Sequence, residues 1–208
     1  MRLVGLLRVD TERNGFDFVA QPKVDPQGRP VGAEILIRWN PEAMGAVSPG
    51  EFIPLAEKVG LIPKIGRHAM QAAAQLVSET QRVGHALPVA VNLSPKQLLQ
   101  PGLDVQLLNA CRRHGIEPEM LELELTESAL VHSMDVVQPL LARLRGHGFT
   151  LALDDFGTGY SSLSYLRHLP FQKVKIDRSF VMDVDRDAKA ACLLESIVRL
   201  CTGMGMRT

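Results

Sequence analysis

Carboxylates recur at the ends of apolar segments in this chain, and their spacing suits oxygen-based metal chemistry. In Leu121-Glu122-Leu123-Glu124-Leu125-Thr126-Glu127, leucines alternate with carboxylates. On a strand, a period of two puts Glu122, Glu124 and Thr126 on one face and the leucines on the other. Taken alone, the segment also fits a solvent-facing edge strand. In a parallel sheet, where both faces are buried, the glutamates need a charged partner, and a metal ion would supply one. Asp154 and Asp155 close the apolar Leu151-Ala152-Leu153 and lead into Phe156-Gly157-Thr158-Gly159-Tyr160-Ser161-Ser162. Adjacent strand residues point to opposite faces, so both aspartates reach one site only where the chain already turns. Two crowded carboxylates repel each other without a cation between them, and an all-oxygen set selects magnesium or manganese over zinc. A helix cap followed by a turn aspartate is the alternative for this pair. Gly157-Thr158-Gly159 is a weak phosphate-loop signal, because the third glycine of a dinucleotide fingerprint is missing.

Three more polar residues interrupt apolar strands: Glu34, with Arg38 four positions on, Asn92 after Val89-Ala90-Val91, and Lys175 between Val174 and Ile176. Charged residues are uncommon inside apolar strands. Each of the three, alone, also fits a buried polar group satisfied by hydrogen bonds. None of the six histidines forms an HExxH pair and no GxSxG elbow is present, so zinc-protease and serine-hydrolase chemistry lack their signatures. Cys111, Cys192 and Cys201 show no CxxC spacing and read as buried reduced thiols.

The elements that must position these groups follow from the hydrophobic pattern. Apolar runs at 16–21 and 33–39 flank the turn-rich Asp25-Pro26-Gln27-Gly28-Arg29-Pro30, a link too short for a parallel crossover, so the first two strands are expected to be antiparallel. Further strands are expected at 89–93, 121–125, 149–153 and 174–176. Helical patterns fall at 52–59, 64–83, 105–113, 136–145, 162–169 and 189–200, the first opened by Ser48-Pro49-Gly50-Glu51, which reads as a capping box with proline at the first helical position. Alternating strands and helices predict an α/β fold with a parallel sheet. The polar residues sit near the C-terminal strand ends, where such folds place their sites. Six strands are two fewer than the eight that close a (β/α)8 barrel.

Composition narrows the partners. The 208 residues carry 23 Lys and Arg against 23 Asp and Glu, a formal net charge of zero, and this gives no footprint for a long polyanion such as DNA. With 46% hydrophobic residues and no linker-like run, residues 1–208 read as one globular domain. No apolar run approaches the roughly 20 residues of a membrane span, and residues 1–8 are too short for a signal peptide. The expectation is a soluble, cytoplasmic chain.

Seven segments together strongly resemble the EAL domain: Gln21-Pro22; Glu34-Ile35-Leu36-Ile37-Arg38-Trp39; Ser48-Pro49-Gly50-Glu51-Phe52-Ile53-Pro54-Leu55-Ala56-Glu57; Asn92-Leu93-Ser94-Pro95; Glu124-Leu125-Thr126-Glu127-Ser128; the run from Asp154 to Ser162; and Lys175-Ile176-Asp177-Arg178-Ser179-Phe180. The signature triplet is the variant Glu-Ile-Leu, whose extra bulk at Ile35 is expected to affect packing more than chemistry. The resemblance implies a TIM-like (β/α)8 barrel with an antiparallel first strand. It also implies hydrolysis of cyclic di-GMP to linear pGpG at a two-metal site using magnesium or manganese. On that resemblance Glu34, Asn92, Glu124, Asp154 and Asp155 are metal ligands, and Lys175 assists the attacking water and steadies the phosphate. Gln21, Leu36 and Arg38 contact substrate, with Arg38 on a phosphate. Glu127 holds the loop 156–162, and Asp177 is placed to touch metal-bound water or substrate. In the family that loop links the metal site to a dimer interface, which implies a homodimer.

After a glycine-rich stretch like Gly203-Met204-Gly205 the family continues into two strands, the first carrying an Ala-Glu-Gly-Val-Glu motif whose glutamate completes the metal site, and neither is present here. The expectation is therefore a barrel lacking its last two strands, with one edge unpaired and impaired activity, either as a piece of a longer protein or as a shortened domain. A non-catalytic module that binds cyclic di-GMP or a protein partner is the alternative function. A different metal-dependent barrel enzyme such as an aldolase is a weaker third, disfavoured by the Asp154 to Ser162 segment.

Overall fold

In a computed structural model of the chain, residues 2–130, 134–158, 166 and 168–208 are described. The chain divides into two compact units, Met1–Leu121 and Glu122–Thr208.

The first unit opens with a helix that the sequence reading did not anticipate, α1 (Arg2–Arg13). Strands β1 (Asp17–Val24) and β2 (Pro30–Arg38) then pair antiparallel as expected, in a register that sets Gln21 opposite Glu34 and Val19 opposite Leu36. The turn between them is built by Asp25, whose Oδ1 accepts the backbone N–H groups of Gln27 and Arg29, both at 2.9 Å. This short Asx turn is the physical reason the hairpin closes where it does. Helices α2 (Pro49–Lys58) and α3 (Ile62–Arg82) follow, then β3 (Val89–Asn92), parallel to β2, and helices α4 (Pro95–Leu98) and α5 (Leu103–His114). Helix α2 starts at Ser48 with Pro49 behind it, but the Ser48 side chain makes no capping hydrogen bond, which corrects the expected capping box. The box occurs at α4 instead: Gln97 N–H donates to Ser94 Oγ, and Ser94 N–H donates to Gln97 Oε1.

The core of this unit joins α1 to the helices after β2. Leu7, Phe16, Trp39, Val47, Phe52, Ala56, Ile62 and Ile65 pack together. The rings of Phe16, Trp39 and Phe52 lie 5.4 to 6.2 Å apart between centroids, each pair adding about 1 kcal/mol beyond its buried area. Trp39 Nε1 donates to Asp10 Oδ2 at 2.8 Å, which gives the buried Asp10 a partner and ties α1 to the end of β2.

In the second unit β4 (Leu121–Thr126), β5 (Thr150–Phe156) and β6 (Lys173–Ile176) run parallel, with β5 between the other two. Helix α6 (Met134–Gly146) buries Val137, Leu140, Leu141 and Leu144, and α7 (Ala188–Gly203) follows β6. Among the described residues the six strands match the six expected positions to within three residues at most ends. The expected bare edge at β6 is paired at one point: Val174 N–H donates to the carbonyl of Arg207, and Arg207 N–H to that of Gln172. The helix expected at 162–169 and most of the 156–162 loop lie outside the described residues. One further reading changes: Cys192 is exposed, whereas Cys111 and Cys201 are buried. Strand β4 is buried from Leu121 to Leu125, as the parallel-sheet reading expected and against the edge-strand alternative. No helix among the described residues is long and apolar enough to cross a membrane.

Candidate functional site

Within the first unit the expected site residues share a face through strand register. Glu34, Leu36 and Arg38 alternate along β2, and Gln21 and Val19 on β1 stand opposite Glu34 and Leu36, so all five project to the same side. Asn92, at the end of β3, donates from Nδ2 to Glu34 Oε1 at 2.9 Å. That bond orients Asn92 with its amide oxygen left to act as a ligand or acceptor. Ile35, on the other side of β2, is buried, in keeping with a packing role for the variant residue. Arg38 Nη1 donates to the carbonyl of Ile37.

In the second unit the alternating glutamates of β4 meet alternating lysines of β6. Lys175 Nζ donates to Glu124 Oε2 at 2.6 Å and to Asp154 Oδ2 at 2.9 Å. Two residues earlier on each strand, Lys173 pairs with Glu122. Both pairs reach across β5, where Ala152, in register with Glu124 and Lys173, is short enough to let them meet. The counter-charges expected from a metal are thus supplied in part by lysine. Lys173 was missed in the sequence reading, although Lys173-Val174-Lys175 repeats the period of Glu122-Leu123-Glu124 and carried the signal. Burial works against the Lys175 charge, but Glu124 and Asp154 outweigh it, holding the ammonium above the usual lysine range.

The aspartate pair lies where the chain leaves the sheet. The β5–β6 register is irregular between Leu153 and Phe156, and Asp155 has φ of 53°, unusual for a non-glycine residue. This turn breaks the strand alternation that would otherwise send Asp154 and Asp155 to opposite faces. Asp155 N–H donates to Asp154 Oδ1 at 2.9 Å. The buried Glu127, in a 3₁₀ turn after β4, accepts the Gly157 N–H on Oε2 at 3.2 Å. Asp177 follows β6 and caps a short turn, its Oδ1 accepting from Ser179 N–H at 2.9 Å and Ser179 Oγ at 2.5 Å. Those bonds hold its carboxyl below the usual aspartate range.

Every group in these two sets that could face a metal offers oxygen. Lys175 pairs with the carboxylates of both Glu124 and Asp154. The donor set fits a hard divalent cation.

The chain is similar to known proteins in sequence and in fold. The chain is 41% identical over 202 residues to the bifunctional diguanylate cyclase/cyclic di-GMP phosphodiesterase MucR of Pseudomonas aeruginosa, covering 96% of this chain and 30% of MucR. It is 37% identical over 175 residues to the cyclic di-GMP phosphodiesterase NbdA of the same organism, covering 84% of this chain and 21% of NbdA. The chain thus spans less than a third of the length of these curated relatives. The solved PaMucR phosphodiesterase, a c-di-GMP complex, matches with a TM-score of 0.92 at 39% identity, covering 99% of this chain and 84% of that one. The α/β fold expected from the sequence is shared with that structure, and the EAL domain signature matches residues 6–208. With that signature running through Glu34, the aspartate pair and Lys175 alike, the chain belongs to the EAL domain family.

Proposed function

We propose that the chain is a metal-dependent phosphodiesterase domain that hydrolyses cyclic di-GMP to pGpG. The observation that carries the reading is the buried Glu124 and neighbouring Asp154, both bonded to Lys175, a carboxylate pair on strands within the span over which relatives named as cyclic di-GMP phosphodiesterases align. Glu34, Asn92, Glu124, Asp154 and Asp155 would hold two magnesium or manganese ions. When bound, such ions make a water molecule more acidic and stabilise charge on phosphoryl oxygens.

The chain's own residues do the remaining work. Lys175, bonded to Glu124 and Asp154, assists the attacking water and offsets charge on the phosphate. Gln21, Leu36 and Arg38 line one strand face, with Arg38 reaching a non-bridging phosphate oxygen through its planar, always charged guanidinium. Glu127 sets the position of the loop that begins at Gly157, and Asp177 contacts water or substrate through the oxygen that Ser179 does not occupy. The proposal extends to residues 1–208 acting as a single, cytoplasmic domain that dimerises through 156–162.

The test is chromatography of cyclic di-GMP incubated with the 208-residue chain and magnesium or manganese, beside an equilibrium binding titration. Appearance of pGpG that is abolished by EDTA, and by Glu34→Gln, supports the proposal. Binding without turnover, unchanged by metal removal and by Asp154→Ala, would overturn it in favour of a receptor role.

A further inference from the structure

The loop that leaves β5 is held at one glycine by two side chains from different strand exits. Gly157 has φ of 100°, a conformation natural to glycine, and its N–H is bonded to Glu127 as described. A β-carbon at this position would lie 2.5 Å from Cε2 and 2.6 Å from Cζ of Phe180, so the phenyl ring rests directly against the Gly157 α-carbon. Phe180 belongs to the turn after β6, and that turn is itself fastened: Phe180 N–H donates to the Asp177 carbonyl at 3.1 Å, and Asp177 N–H to the Phe156 carbonyl at 3.4 Å. The ring is half-buried. On the chain side nearer the aspartates, the Asp155 carbonyl accepts from Thr158 N–H at 3.3 Å and Thr158 Oγ1 at 2.9 Å. The tight turn from Asp155 to Thr158 therefore has Gly157 as its anchored corner.

We infer that Phe180 is a positioning residue for Asp154 and Asp155. Its ring and the Glu127 carboxylate clamp Gly157, and the clamp keeps the turn that sets the direction of both aspartates. A ring is suited to this, since it offers a rigid flat surface against a residue without a side chain, whereas a flexible chain would leave the corner free to shift. The inference rests on reading Asp154 and Asp155 as metal ligands, because only then does their direction matter for binding. Residues that orient ligands typically change metal affinity or activity by about 10- to 100-fold when altered.

Phe180→Ala, Phe180→Leu and Phe180→Tyr are compared with the unaltered 208-residue chain by two measurements, with thermal unfolding to identify folded variants. Hydrogen exchange of the Gly157 amide reads the clamp, and manganese titration followed by electron paramagnetic resonance reads the aspartates. The expected result is faster Gly157 exchange and manganese affinity weaker by about 10-fold or more in Phe180→Ala, with Phe180→Tyr close to the unaltered chain in both. Phe180→Leu serves where the alanine variant does not fold, and should show the same losses in smaller measure. Unchanged exchange, or accelerated exchange with unchanged manganese affinity in a folded variant, overturns the inference. Absence of manganese binding by the unaltered chain overturns the ligand reading on which the inference stands, and Gly157 exchange then decides the clamp separately.

Discussion

Lys175→Met isolates the charge balance on which the second unit depends. Glu124 is fully buried and Asp154 partly so, with side-chain exposures of 0% and 15%. Without the ammonium, two adjacent carboxylates face each other with their shared partner gone. Breaking a buried ion pair from one side costs about 3–5 kcal/mol. The Lys175 side chain is 30% exposed, so water screens part of that loss and the lower end, about 3 kcal/mol, applies. With a urea dependence of about 2–3 kcal/mol/M for a chain of this size, the unfolding midpoint should fall by about 1 M. The assay is urea unfolding in EDTA, followed by circular dichroism, for the unaltered chain, Lys175→Met and the double variant Lys175→Met with Glu124→Leu. Replacing both partners by apolar groups of similar volume is often close to neutral, so the double variant should recover more than half of the loss. A single variant within about 1 kcal/mol of the unaltered chain, or a double variant no better than the single, would refute the argument that an uncompensated buried charge is what matters.

Three other outcomes are expected. Trp39→Phe removes the indole donor from buried Asp10, and should cost about 1–3 kcal/mol in thermal or chemical unfolding. Gly157→Ala meets both a φ of 100° and the Phe180 ring, so turnover measured with saturating metal should drop by about 10-fold or more while the rest of the fold melts normally. A thiol reagent at pH 8 should label Cys192 rapidly, and Cys111 and Cys201 only after unfolding, since burial raises both thiols, Cys111 from 9.0 to about 11. For Cys111 the sign is definite: between those two values the unfolded chain gives up a proton that the folded chain keeps, so stability should fall as pH rises through that window in denaturation titrations.

Much of the fold was legible because local physics points one way. The runs that became β2, β3 and β5 combine apolar residues with turn residues at their ends, and the short Asp25 to Arg29 link could only serve an antiparallel pair. Where two local signals compete, the sequence misleads. Ser48 has the flanking pattern of a capping residue and makes no side-chain cap, while Ser94 does so with Gln97. Helix α1 escaped notice because its short apolar stretch has meaning only beside Phe16, Trp39 and Phe52, residues that arrive later in the chain. Cys192 was read as buried on composition alone, but little of α7 packs inward and of that helix only Cys201 is buried.

The site divides in the same way. The sequence by itself determined the chemistry: oxygen donors at strand ends, lysines alternating on a following strand, and a glycine in the loop between. Residue type and the period-two alternation of a strand suffice for that. The tertiary structure decided which charges answer which. Glu124 and Lys175 stand 51 residues apart, and only parallel pairing of three strands, with small Ala152 between them, brings the carboxylate and the ammonium within hydrogen-bond distance. It also decided that Phe180 lies on Gly157. Contacts of this kind depend on register and on the path of the chain between strands, quantities that no local pattern encodes.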